Sequence, residues 1–144
     1  MVKIIPLINT LLTPIEEVSY PSRTYKVVLD KNKPAESENR YRVNGYCDKV
    51  EALIQSIYFI LSTERYKFVI YSWNYGVELV DLIGKPMPYV MSEIPRRIKE
   101  ALTQDSRINN VKDFEFEKNG KKLHVTFTVE TKIGEIPSEL EVAV

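Results

Sequence analysis

The chain has 144 residues, enough for one domain with one core, and its apolar (44%) and charged (28%) fractions are those of an ordinary soluble globular protein. Lys plus Arg balances Asp plus Glu at 20 each. That balance speaks against nucleic acid as a partner, because phosphate binding draws on a basic surplus.

Cysteine and histidine occur once each, as Cys47 and His124. A lone cysteine forms no intrachain disulfide, and one Cys with one distant His makes a poor zinc set. No metal or cofactor is therefore expected. The opening run, Met1 to Leu12, is too short and too interrupted to span a bilayer and lacks a signal-peptide layout. The expectation is a cytosolic product, with no membrane partner, carrying a loosely structured arm over 1–23 in which Pro6, Pro14 and Pro21 prevent a clean period.

In chain order, 24–30 (Thr-Tyr-Lys-Val-Val-Leu-Asp) is rich in β-formers and reads as a strand. A polar loop follows over 31–39, and 40–44 alternates as a strand that could pair back in a hairpin. The first helix is expected over 48–61. Asp48 caps it, Glu51 completes a capping-box spacing, and Val50, Leu53, Ile54, Ile57, Tyr58 and Leu61 form one stripe. Phe68-Val69-Ile70-Tyr71 reads as a short buried strand, and Ser72 to Gly76 as a turn. Gly76 is expected to serve a positive φ or a close backbone approach. Val77 to Ile83 reads as short helical or irregular structure, broken by Gly84-Lys85-Pro86-Met87-Pro88. Pro95 is harmless at the third position of a helix, so the second helix is expected from near Glu93 to near Thr103, with Ile94, Ile98, Ala101 and Leu102 inward.

The last third reads as β. Asn119-Gly120 is a strong two-residue hairpin signal. With 118 paired to 121, Phe116 faces Leu123 and Phe114 faces Val125, and Phe127 and Val129 continue that face. Val111 is out of phase with Phe114, which predicts a bulge near Lys112-Asp113. Leu140 to Val144 alternates as a further extended segment. The fold class is α+β, two main helices packed on a largely antiparallel sheet with a C-terminal β-hairpin. The domain spans 24–134 and an extended segment follows over 135–144.

Little in this pattern points to catalysis. Glu64, Glu78 and Asp81 are the central acids for glycoside cleavage, but a chain with 20 acids offers such pairs by chance, and solvated acids or helix caps are the simpler reading. His124 sits mid-hairpin without a nucleophile elbow. Ile83-Gly84-Lys85-Pro86 lacks the upstream glycine and the following Ser or Thr of a phosphate loop. The dense aromatic group Tyr66, Phe68, Tyr71, Trp73 and Tyr75 reads first as core and core edge, and second as a contact patch. Arg96, Arg97 and Lys99 read as a solvated helix face.

Several stretches carry a resemblance: Leu-Ser-Thr-Glu-Arg-Tyr-Lys (61–67), Ile-Tyr-Ser-Trp-Asn-Tyr-Gly-Val-Glu-Leu (70–79), Asp-Leu-Ile-Gly-Lys-Pro (81–86), Arg-Arg-Ile-Lys-Glu-Ala-Leu (96–102) and Leu-His-Val-Thr-Phe-Thr-Val (123–129). Over about Cys47 to Gly134 the chain resembles the XkdS family of baseplate proteins from PBSX-type prophages. That family is in turn similar to the wider baseplate-wedge and sheath-initiator proteins, among them phage W protein and TssE. The wider family often carries Glu-Pro-Arg after its second helix, where this chain has Asp105-Ser106-Arg107.

The resemblance implies a non-enzymatic structural part of a contractile tail baseplate, in the virion and assembled in the host bacterial cytoplasm. Its partners would be other baseplate wedge proteins and tail sheath subunits, with no nucleic acid, membrane or small-molecule substrate. Asp105 and Arg107 would meet a wedge neighbour, and Trp73 and Tyr75 of the aromatic group are further partner-contact candidates. Val125, Phe127 and Val129 lie in the strand 121–132, which, or the segment after it, would offer an open edge to the sheath. A cell-wall glycosidase and an adaptor unrelated to tails are the alternatives.

Overall fold

The computed structural model describes residues 22–29, 33 and 41–143. Most of the expected arm and of the 31–39 loop lies outside the described residues. The elements run β1 (Thr24–Leu29), β2 (Tyr41–Cys47), α1 (Lys49–Ser62), a 3-10 turn (Val80–Leu82), α2 (Met87–Leu102), β3 (Ile108–Asn119), β4 (Lys122–Thr131) and β5 (Gly134–Ala143). β1 and β2 pair antiparallel as a separate ribbon, and the main sheet is antiparallel in the order β3-β4-β5. The α+β expectation holds, with two sheets in place of one.

Asp48 is the N-cap of α1, but its side chain accepts from the first helical N–H, that of Lys49, at 2.7 Å, instead of from the Glu51 N–H that the expected capping box uses. Glu51 is drawn away to the ammonium of Lys26 on β1. Leu53, Ile57 and Leu61 are buried together with Ala52 and Ile60, whereas Val50, Ile54 and Tyr58 remain exposed. The predicted stripe is thus wider than the face the core covers. Gln55 fastens the ribbon to α1, accepting from Val27 N at 2.9 Å and donating to Tyr25 O at 2.8 Å where the β1–β2 register shifts.

α2 starts six residues before the expected position, at Met87 instead of near Glu93. Pro86 and Pro88 open the helix, where a missing N–H costs nothing. Pro95 therefore lies in the helix interior, leaving the Met91 carbonyl without its usual helical donor. The buried side chain of Val90 in the added turns offsets that loss, contributing roughly 1.5–3 kcal/mol.

The hairpin forms, with a corrected register. Gly120-Lys121 is the two-residue loop, Asn119 pairs with Lys122, and Phe116 faces Val125 rather than Leu123. Each partner moves two positions along β4, so the same face stays inward. The bulge appears where expected. Register shifts between Lys112 and Glu115, Asp113 has φ +56°, and Phe114 stacks on Phe127 at 5.5 Å instead of facing Val125. β5 extends the predicted last strand back to Gly134 and pairs with β4 along its whole length. The core lies between α1, α2 and the inward face of the main sheet, where Leu53, Ile94, Ile98, Leu102, Val125 and Val129 are fully buried.

Candidate functional site

Between α1 and α2 the chain makes a long excursion, and its neck is tied by backbone. Val77 N donates to Thr63 O at 2.9 Å and Arg65 N to Val77 O at 3.1 Å, a parallel bridge. Gly76 sits beside it at φ +97°, and a Cβ there would lie 2.6 Å from Thr63 O. Both expectations for this glycine are met.

Side chains complete the tie. The Glu64 carboxylate accepts from Leu79 N (3.2 Å) and Val80 N (3.4 Å), capping the 3-10 turn. Arg65 is buried, donating through Nε to Gly76 O at 3.2 Å and through its terminal nitrogen to Glu100 at 2.7 Å, with Glu78 at 3.5 Å. Arg97 donates to Glu78 O at 2.7 Å, to Glu93 at 3.2 Å and to Asp81, and these hydrogen bonds hold the Asp81 carboxyl below the usual carboxylate range. Arg96 bridges Glu93 and Glu100. The basic face expected to be solvated is thus half correct: Arg96 is exposed, but Arg97 is largely covered and clamps the excursion to α2. Glu64, Glu78 and Asp81 all serve this clamp.

Beyond the neck, the expected buried strand at 68–71 is absent. Those residues form exposed turns, with Val69 and Ile70 at 101% and 85% exposure. No neighbouring strand lies beside them, and a ladder needs one. Trp73 is 80% exposed and tilts against Tyr66 at 5.8 Å, so the group is a surface patch rather than core. Tyr75 is the inward member, half-buried and stacked on Tyr71 at 4.6 Å. Its burial pushes the phenol up from its ordinary pKa.

Tyr75 and Asp105 line one hollow of about 320 Å³, walled by Ser56 and Ile60 of α1 and by Ala101 and Gln104. Trp73 and Arg107 do not line it. Arg107 turns back on Asp105 in a bidentate pair (2.9 and 2.6 Å), its N–H also donates to that carboxylate at 3.0 Å, and its carbonyl accepts from Lys132 N at 3.1 Å. Burial by itself pushes the Asp105 carboxyl up, but the Arg107 contacts outweigh it and hold the group low. The acid-x-Arg sequence therefore shapes the α2–β3 corner, beside the hollow.

Val125, Phe127 and Val129 do not reach a surface. They are buried and belong to β4, which is paired on both sides, so the open edge expected of 121–132 passes to the segment after it. The loop Lys132-Ile133 closes on the Thr131–Gly134 pair, and a two-residue loop closes on a hydrogen-bonded pair. Alternation then turns the backbone of Glu135, Pro137, Glu139, Glu141 and Ala143 outward. Pro137, lacking an N–H, occupies one of those outward positions, as an edge proline must. Beyond it the backbone of Glu139, Glu141 and Ala143 has no strand partner among the described residues.

Of the clamp residues, Arg65 and Glu100 were not singled out from sequence, and Arg97 was read only as part of a solvated helix face. The spacing of Glu93, Arg96, Arg97 and Glu100 on one helix was the available signal. Among the described residues no group of three metal-ligating side chains occurs and no helix is long and apolar enough to cross a membrane.

A model of the contractile injection system sheath initiator family matches residues 23–134. The chain is 42% identical over 126 residues to phage-like element PBSX protein XkdS of Bacillus subtilis (strain 168), covering 85% of this chain and 84% of that one. Its fold is similar to a chain in the cryo-EM structure of the anti-feeding prophage (AFP) baseplate, with a TM-score of 0.51 at 16% identity over 84% of each. The family match over most of its length and the XkdS identity place this chain in the contractile injection system sheath initiator family.

Proposed function

We propose that this structural baseplate component of a contractile tail-like particle starts the sheath by strand addition at β5. The observation that carries the reading is the outer edge of β5, ten residues long in a three-stranded sheet, which has no strand partner among the described residues. Main-chain hydrogen bonds to Glu139, Glu141 and Ala143 would hold the first sheath strand largely without regard to its side chains. The hollow at Tyr75 and Asp105, with Trp73 and Arg107 beside it, would seat a neighbouring wedge protein. The role is non-catalytic, supported by the engagement of Glu64, Glu78 and Asp81 in the clamp. Assembly would take place in the host cytoplasm, without nucleic acid or membrane.

Glu141→Pro tests the edge. It removes one outward N–H that the sheet does not use, and Glu141→Ala controls for the lost ion pair with Lys122. The expected outcome is a folded proline variant whose particles, viewed by electron microscopy, carry no sheath, while the alanine variant is sheathed. Full-length sheaths on a folded Glu141→Pro protein rule the mechanism out.

A further inference from the structure

The outer edge of β5 does not face open water on its inner side. A groove of about 370 Å³ runs along it, walled by Ile54, Ile57, Tyr58 and Leu61 of α1 and by Ser138 and Leu140 of β5. Val50, Ile54 and Tyr58, four residues apart, make one ridge on α1, and each is close to half exposed (44%, 49% and 46%). Ser138 stands opposite Phe127, between the inward residues Ile136 and Leu140. Its small side chain leaves the groove open at mid-strand. The Tyr41 hydroxyl lies 3.4 Å from that of Tyr58, so the β1–β2 ribbon borders the far side of the ridge.

A strand added about 4.8 Å from β5 would hang every second side chain over this ridge. The alternate side chains would lie on the solvent face of the sheet, where Lys112 already pairs with Glu135 and Lys122 with Glu141. Glu139 also points there from β5 and is 75% exposed, and among the described residues its charged neighbour is His124, at 3.6 Å. A helix, about 10 Å wide, would leave the β5 donors without acceptors.

We propose that this slot selects the strand it receives: an extended segment of another protein of the particle, with apolar residues at alternate positions and Lys or Arg between them. The proposal rests on the edge reading above and adds a side-chain code to it. Apolar residues of the segment cover Ile54 and Tyr58, and a basic residue pairs across the strand with Glu139.

The test uses the full chain in assembling particles. A photo-crosslinking benzoylphenylalanine replaces Tyr58, and the crosslinked peptide is sequenced by mass spectrometry. In parallel, Ile54→Glu places a charge in the slot at an already exposed position, so the fold is kept. The expected result is a crosslink to a segment of a different protein with the alternating apolar and basic pattern, and a drop of about ten-fold or more in sheathed particles for Ile54→Glu. A crosslinked segment without that pattern overturns the proposal. So does a crosslink to residues 1–21 of this chain, no crosslink at all, or normal sheath numbers with Ile54→Glu. If Glu141→Pro blocks the sheath and Ile54→Glu does not, the edge reading stands and the side-chain code falls. If Glu141→Pro leaves the sheath intact, the edge reading itself has failed.

Discussion

Replacing Gly76 with alanine strikes the neck of the 63–83 excursion at its tightest point. Two costs add. The backbone at φ +97° is a region that side chains rarely adopt, worth about 1–3 kcal/mol. The new Cβ would also stand 2.6 Å from Thr63 O, which is main chain and cannot swing aside. Relieving that contact pulls Val77 N off Thr63 O, a hydrogen bond of 2.9 Å worth about 1 kcal/mol net. The sum is about 3 kcal/mol, or a fall in melting temperature of about 10 °C for a domain of this size. Gly84→Ala is the control, because Gly84 has φ +77° but no atom within 4 Å of the added Cβ, so it carries the conformational cost alone, about 1 kcal/mol. Urea unfolding followed by circular dichroism measures both. The reasoning is refuted if the two variants differ by less than about 1 kcal/mol, since the clash with Thr63 would then have no energetic content.

Thr128→Pro removes a donor from the central strand, where alternation turns it toward β3, and is expected to cost about 3 kcal/mol or more in urea unfolding; unchanged stability would overturn the assignment of strand faces. Asp105→Asn probes the corner pair. The folded carboxyl titrates below its unfolded value, so its contribution is complete above about pH 4 and is lost as pH falls through the folded pKa. The wild type should exceed the variant by about 1–2 kcal/mol at pH 7, and the gap should narrow as pH falls below about 4; a gap independent of pH would place its origin elsewhere. Arg65→Met keeps an apolar stem but strands the Gly76 carbonyl. With Glu78 and Glu100 nearly half exposed, the cost is about 2 kcal/mol, and trypsin should cleave after Lys67 faster than in the wild type; an unchanged cleavage rate would show that the clamp does not hold the tip.

What was legible in the sequence was local. The Asp48 cap with Leu53, Ile57 and Leu61 places α1 because capping and period act within a few residues. The bulge at Lys112-Asp113 could be read because Val111 and Phe114 must both face inward and strand alternation forbids it otherwise. The start of α2 was misplaced because a proline at position 95 reads as a first-turn residue, whereas burial of Val90 is a tertiary effect that outweighs one lost hydrogen bond. The exact hairpin register depends on which two residues form the loop, and Asn119-Gly120 and Gly120-Lys121 leave identical faces inward. Pro137 interrupts the pattern of β5, so only its last residues read as a strand. At the candidate site, Gly76 and Tyr75 stood out by type, but Tyr75 and Asp105 are thirty residues apart in sequence, and nothing local shows that they share a hollow.

The excursion between α1 and α2 inverts the usual placement of charge and hydrocarbon. Its guanidinium, Arg65, is 8% exposed, while Val69, Ile70 and Trp73 lie in water at 101%, 85% and 80%. The apolar tip contributes little to the free fold, because side chains exposed to that degree bury little area. The polar clamp gives little net stability either, since desolvating Arg65 consumes much of what Glu100 and Gly76 O return. What the clamp does supply is position: hydrogen bonds of fixed direction at Gly76, Glu78, Asp81 and Glu100 leave the neck a single geometry. A tip held rigidly outward has already lost the freedom that binding would otherwise cost, and an exposed Trp among tyrosines is the side-chain chemistry that anchors interfaces. The inversion is costly for a chain of zero net charge that stays alone, and well suited to one whose working state is inside an assembly.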